Sequence, residues 1–176
     1  YYMEHGEAQV LKQGDKYELM SGNQVGALLL DYILKCRKQQ NRIPENAIAV
    51  KTIVTTELCN KITEKYGCKL INVLTGFKFI GEQILALEQI NQENRYMFGF
   101  EESYGYLSGT FVRDKDAVTA SMLICEMAAF YKLKGKNLLE ALSDIEEEHG
   151  FYTNKQASYT FEGQQGMQIM NSIMND

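Results

Sequence analysis

Between residues 21 and 38 apolar side chains recur at Val25, Leu28, Leu29, Tyr32, Ile33 and Cys36. This spacing of three and four predicts a helix, with Ser21 or Asn23 as its N-cap. Residues 41–45, which hold the only proline, Pro44, close it. Residues 47–54 then form a nearly continuous apolar run of strand length, the pattern of a central strand covered on both faces. A helix is predicted over 56–66, with Leu58, Ile62 and Tyr66 on one side and Gly67 as its stop. A short strand over 69–73, a helix over 77–91 and a third core strand over 95–100 follow.

This alternation predicts an α/β fold: a mostly parallel sheet with right-handed crossovers and helices on both faces. Upstream, residues 9–20 read as two short strands around Gln13-Gly14-Asp15. Downstream, residues 117–133 read as a long buried helix, with Val118, Met122, Cys125 and Phe130 among its apolar positions and Asp114 or Asp116 to cap it. A helix over 137–149 carries a solvated Glu146-Glu147-Glu148 face, and residues 156–161 and 165–174 read as a strand and an amphipathic helix.

In such sheets ligands bind beyond the carboxyl ends of the strands. Thr55, residues 75–78 and residues 101–103 fall at those ends. The stretch from Phe98 to Asp116, FGFEESYGYLSGTFVRDKD, gathers the chemistry of a polyhydroxylated, phosphorylated ligand. Glu101 and Glu102 can accept from hydroxyls, and Ser103 can donate or accept. Tyr104 and Tyr106 offer flat faces, as do Phe77 and Phe79 nearby, although Phe79 is expected in the core. Arg113 and Lys115 can meet a phosphate. On an extended loop Glu101 and Ser103 point the same way, while Glu102 faces away and orders the loop. The bland alternatives are that Glu101 caps a turn or pairs with Arg113, and that Lys115 pairs with Asp114 or Asp116. Thr75, Gly76 and Lys78 form a strand-to-helix turn whose N–H groups suit an anion.

Composition narrows the choices. With 45% hydrophobic residues among 176, the chain can bury a core. A net charge of −5, no tryptophan and no face-sized basic run argue against a nucleic-acid surface. No apolar run approaches the roughly 18 residues of a membrane span, so the chain reads as cytoplasmic. Four cysteines without a C-x-x-C pair, and two histidines without ligand spacing to them, read as structural thiols and give no metal site. Neither G-x-G-x-x-G nor G-x-x-x-x-G-K-[ST] occurs, which excludes the common nucleotide loops. Adjacent Glu101 and Glu102 cannot flank a glycosidic bond from opposite sides as glycosidase carboxyls do.

Four blocks in register resemble the alpha-D-phosphohexomutases, the family of phosphoglucomutase and phosphomannomutase: SGNQVG at 21–26, VKTIVTT at 50–56, LTGFKF at 74–79 and the FEESYG core at 100–105. The resemblance is to the third of four domains in the bacterial phosphoglucomutase branch. It implies that residues 16–153 are a sugar-binding domain and 154–176 the lead-in to a fourth, with residues 1–15 either the remnant of a preceding domain or an artificial edge.

The same resemblance implies that Glu101 and Ser103 bind the 3- and 4-hydroxyls of a hexose, and that Thr75, Gly76 and Lys78 contact substrate at their turn. It puts Lys115, with Arg113, near the reacting phosphate, although the loop here is one residue longer before the lysine than in G-E-E-S-F-G members. The parent enzyme would interconvert hexose 1-phosphate and hexose 6-phosphate through a phosphoserine, Mg²⁺ and a hexose 1,6-bisphosphate intermediate. The phosphoserine loop, the Asp-x-Asp-x-Asp metal loop and the C-terminal phosphate loop have no counterpart in these residues. The chain alone is therefore expected to be inactive, with domains I, II and IV of the same polypeptide as its partners and no nucleic acid or membrane partner. The alternative is a separate hexose-phosphate binding module without catalysis.

Overall fold

The computed structural model describes residues 10–13, 16–155, 157 and 159–175. It opens with a hairpin of β1 (Val10–Gln13) and β2 (Lys16–Leu19), paired antiparallel. Two residues of the expected turn, Gly14 and Asp15, and the expected domain edge before residue 10 lie outside the described residues. Helix α1 (Gly22–Gln39) begins at Ser21, where a capping box closes the end: Ser21 Oγ accepts from the Gln24 amide, and the Gln24 side chain accepts from the Ser21 amide at 2.8 Å.

The main sheet follows from β3 (Ile48–Thr52), α2 (Leu58–Tyr66), β4 (Lys69–Val73), α3 (Phe77–Glu88), β5 (Tyr96–Glu101) and β6 (Gly105–Leu107). Its strand order is β4-β3-β5-β6; β3 is parallel to both neighbours, and β6 returns antiparallel to β5. The mostly parallel sheet expected from the alternation is present. Gly67 ends α2 in the left-handed conformation, at φ 67°.

Alternation along the buried strands feeds two cores. Ala47, Ala49, Phe98 and Phe100 pack with α1, α2, α4 (Ala117–Leu133) and α5 (Leu138–His149). Ile48, Val50 and Tyr96 pack with Phe77, Ile80, Ile84 and Leu87 of α3 on the opposite face. Phe77, not Phe79, is the core aromatic of that turn; Phe79 is half-buried. The first large cluster also holds a buried polar junction. Asp31 of α1 is paired with Lys35 at 2.6 Å and accepts from Tyr66 of α2 at 2.8 Å, so burial of the carboxylate is compensated by partners on two helices.

Three further features differ from the sequence expectation. Helix α4 is half-exposed rather than buried: Val118 and Met122 are 80% and 62% exposed, and Ala120, Met127 and Tyr131 are its buried residues. It touches β6, α1 and α5; Leu123, Ile124, Ala128 and Phe130 are partly buried against the first core, while Val118, Met122, Cys125 and Leu133 face outward. The strand expected over 156–161 is absent among the described residues of that stretch, because no neighbouring strand supplies a ladder. The expected terminal helix is present as α6 (Gly163–Asn175), with Met167, Met170 and Met174 exposed. The third difference is β6, which turns the expected open loop after Glu101 into a hairpin.

Candidate functional site

Three turns meet at the carboxyl ends of β3, β4 and β5. Residues 53–57 leave β3, residues 74–76 leave β4, and Glu102, Ser103 and Tyr104 form the tip of the β5–β6 hairpin. The sheet order places the β5 end beside the β3 end and the β4 end on the far side of β3.

Glu101 is the last residue of β5 and is only 7% exposed. Its Oε1 accepts from the Gly76 amide at 2.8 Å. Gly76 is the N-cap of α3 and has no side chain to cap the helix. The carboxylate from a neighbouring strand therefore supplies the acceptor that a capping-box glutamate gives from within a helix, and it sits where the helix dipole favours negative charge. This arrangement changes the expected chemistry of the turn. The Gly76 amide at the α3 N-terminus is therefore already taken by a carboxylate of the chain itself.

Gly76 adopts φ 119° and ψ 123°, a conformation side-chain-bearing residues rarely take. Thr75 and Leu74 beside it are exposed.

Glu102 turns toward β3. Its Oε2 lies 3.2 Å from Thr52 Oγ1 and 3.3 Å from Thr55 Oγ1, and the two hydroxyls are 2.7 Å apart, so of their two protons one joins the threonines and the other is donated to Glu102. Both threonines are buried. Behind them Lys51 is fully buried, with its ammonium donating to the Thr55 carbonyl and to Glu57 Oε1, each at 2.9 Å. That bond to Lys51 holds the Glu57 carboxyl below its ordinary range. Sequence reasoning missed Lys51 as a structural centre. Its one available signal was a lone cation inside an apolar strand with a carboxylate six residues later.

The extended segment expected from Glu101 to Ser103 is instead a strand end followed by a tight turn. Glu101 is buried at its base, and Ser103 stands exposed at its tip. Tyr104 takes φ 62°, uncommon for a bulky residue, and its hydroxyl donates to the Met20 carbonyl at 3.1 Å. Tyr106 is buried and stacked with Phe98 and Phe100, and its hydroxyl donates to the Gly22 carbonyl at 3.0 Å. Tyr106 and Phe77 thus belong to the core rather than to a ligand platform. Gly22 packs directly on the tip, since a Cβ there would collide with the Glu102 carbonyl oxygen.

The cations are placed unequally. The Lys115 stem lies on Gly105, which pairs with Glu101 in the β5–β6 ladder, and its ammonium is 5.7 Å from the Phe77 ring centroid. It is also 3.8 Å from Asp114. Arg113 pairs with Glu88 at the far end of α3, roughly 18 Å of helix from Gly76. Arg113 and Lys115 share an open depression of about 580 Å³ with Val112, Asp114, Asp116 and Ala117. The Lys78 ammonium is 4.8 Å from the Phe79 ring centroid, at the exposed start of α3. The structure therefore brings together Glu101, Gly76, Glu102, Thr55 and the base of Lys115. Arg113 stands apart.

Among the described residues no group of three His, Cys, Asp or Glu side chains could hold a metal ion, and no helix is long and apolar enough to cross a membrane. The site offers recognition by carboxylate, hydroxyl and backbone groups.

Residues 21–148 match the family model described as "Phosphoglucomutase/phosphomannomutase, alpha/beta/alpha domain III". Over 154 residues the chain is 36% identical to a phosphoglucomutase of Staphylococcus haemolyticus and 41% identical to one of Staphylococcus aureus strain N315, which covers 88% of this chain in each case. The chain spans 27% of the length of these curated relatives. A solved structure from Thermus thermophilus, described as a phosphomannomutase, is similar with a TM-score of 0.60 and 26% identity, over 76% of this chain and 26% of that one. The open form of the Paramecium phosphoglucomutase parafusin shares the fold, with a TM-score of 0.56 and 22% identity over 76% of this chain and 22% of its own.

Proposed function

The chain belongs to the phosphoglucomutase/phosphomannomutase family, as its alpha/beta/alpha domain III, and from that premise we propose that it is the sugar-recognition wall of an enzyme that interconverts hexose 1-phosphate and hexose 6-phosphate. The observation that carries this reading is the pairing of a buried acceptor with an exposed hydroxyl at the strand ends. Glu101 is fixed on the Gly76 amide, and Ser103 stands at the adjoining hairpin tip. A carboxylate suits the hydroxyls of a hexose and disfavours its phosphate. A wall that reads hydroxyls can hold the sugar in either of two orientations, as movement of a phosphoryl group between its two ends requires.

In this reading Thr75, Gly76 and Lys78 border the sugar, and Lys115 stands at the margin where a phosphate would lie. Arg113 would reach substrate only by leaving Glu88. A phosphoserine and a hexose 1,6-bisphosphate intermediate would belong to the parent reaction. The described residues do not fit a Mg²⁺ site, so its ligands would come from domains outside this chain. Residues 16–153 would form the domain, and residues 154–176 would lead into the next.

The test is a coupled glucose 6-phosphate assay of the full polypeptide that contains this chain, beside the chain alone. Turnover of glucose 1-phosphate by the full polypeptide, its loss in the double variant Glu101→Ala/Ser103→Ala, and no turnover by the isolated chain are expected. A full polypeptide inactive on hexose phosphates, or a double variant with unchanged kinetics, would overturn the proposal.

A further inference from the structure

Two adjacent carboxylates at the end of β5 are tied to turns on different strands. Glu101 holds the β4–α3 turn through Gly76, and Glu102 holds the β3–α2 turn through Thr52 and Thr55. The partners of Glu102 are themselves fixed. Thr52 and Thr55 are buried and within hydrogen-bond distance of each other, and the Thr55 carbonyl takes a bond from the buried Lys51 ammonium. The tip between Glu101 and Gly105 is also clamped from below. Gly22 packs on the Glu102 carbonyl, and the Tyr104 hydroxyl reaches the Met20 carbonyl. Tyr104 occupies the left-handed region, a conformation that persists only when its surroundings impose it. Ser103 is the residue of this tip left exposed.

From this arrangement we infer that Glu102 is a positioning residue, whose carboxylate, held by the Thr52 and Thr55 hydroxyls, fixes the hairpin tip so that Ser103 is presented to a sugar hydroxyl. The inference rests on the sugar-recognition reading. Glu102 itself is half-buried with its carboxylate on the threonine pair, so it acts through Ser103 rather than on substrate. A pre-fixed tip raises affinity because no loop ordering remains to be done on binding. Glutamine at this position keeps a carbonyl oxygen that can accept from the threonine pair; alanine keeps no acceptor.

The experiment is a double-mutant cycle in the full polypeptide, read as kcat/KM for glucose 1-phosphate with KM and kcat separated. Glu102→Ala should lower kcat/KM about tenfold, mostly through KM, the order expected for losing bonds to a charged group. Glu102→Gln should recover most of that loss. In a Ser103→Ala background, Glu102→Ala should add less than about twofold, because the residue it positions is gone. If Glu102→Ala costs the same in both backgrounds, or Ser103→Ala and Glu101→Ala reduce activity while Glu102→Ala does not, the positioning role is wrong and sugar recognition stands. If Ser103→Ala and Glu101→Ala change nothing, the recognition reading fails and this inference falls with it. Amide hydrogen exchange at Ser103 and Tyr104 in the same variants gives a readout independent of turnover: faster exchange in Glu102→Ala and near-parental exchange in Glu102→Gln support the staple, and unchanged exchange in both overturns it.

Discussion

The carboxylate of Glu101 on β5 accepts the amide of Gly76 at 2.8 Å and so caps α3 from another strand. Loss of this bond has two separable consequences. Glu101→Ala removes an N-terminal acceptor from α3, worth about 1 kcal/mol of stability, and removes the proposed hydroxyl acceptor. The expected fall in kcat/KM for hexose phosphate in the full polypeptide corresponds to about 1.5 to 3 kcal/mol. Glu101→Gln should keep the cap, since the amide oxygen still accepts from Gly76, while weakening recognition of hydroxyl donors. Thermal unfolding and steady-state kinetics on the two variants separate the roles; a kinetic effect that merely tracks the change in Tm would argue against direct recognition.

Two glycines at this edge should fail for different reasons when replaced by alanine. At Gly76 there is room for a methyl group, the nearest atoms being 3.8 Å away on Phe79, but φ 119° is hostile to any side chain. Gly76→Ala should cost about 1 to 3 kcal/mol through the backbone and draw the amide off Glu101. At Gly22 the backbone is ordinary and the space is not, because a Cβ meets the Glu102 carbonyl and the Tyr104 amide. Gly22→Ala should therefore force α1 and the hairpin tip apart, again at about 1 to 3 kcal/mol. Denaturant melts give both costs, and amide exchange at residues 102–104 should rise more for Gly22→Ala.

Much of this architecture is legible in the sequence because it rests on periodicity. The stripe from Val25 to Cys36 gives α1, the apolar run before Thr52 gives β3, and the alternation of elements puts Glu101, Thr55 and Gly76 at one edge. What escapes has little local signature. The strand β6 is three residues long and exists through pairing with β5, and its turn carries Tyr104 at positive φ instead of a glycine or asparagine. Lys51 reads as an interruption until its partner Glu57 is seen. The outward face of α4 depends on which neighbours lie beside it, and composition alone does not convey that.

The Lys51–Glu57 pair makes stability dependent on acid. Lys51 is fully buried, and the Glu57 side chain is 59% exposed. The bond from Lys51 lowers the Glu57 pKa below its ordinary 4.5. A carboxyl with a depressed folded-state pKa contributes stability that is fully present above its unfolded value and is lost as pH falls through the folded value. The chain should therefore hold this contribution above about pH 4.5 and lose it on further acidification, when the buried ammonium loses its counter-charge. Glu57→Gln should lower stability near neutral pH and flatten the acid limb of a Tm-against-pH curve. An acid limb with the same slope in parent and variant would show that Glu57 does not report this coupling.

The four free cysteines should react in an order set by burial. Cys125 lies exposed on α4, Cys36 is partly buried, and Cys59 and Cys68 are buried. Burial pushes the thiols of Cys59 and Cys68 each up to about 12. At pH 8 this leaves roughly one thiolate in ten thousand, and the thiolate is the nucleophile. Burial also raises the Cys36 pKa, so this partly accessible thiol reacts more slowly than Cys125. A native chain treated with Ellman's reagent at pH 8 should show one fast thiol, lost in Cys125→Ser, a slower second, and two that appear only with denaturant. Because Cys59, in the first turn of α2, is buried in the same cluster as α1 and Leu58, its exposure rate reports opening of the first core. Cys125 on the outer face of α4 should react at a rate independent of stability. A destabilising Gly22→Ala change should therefore speed Cys59 and leave Cys125 unaltered; equal acceleration of both would mean that α4 loosens together with the core.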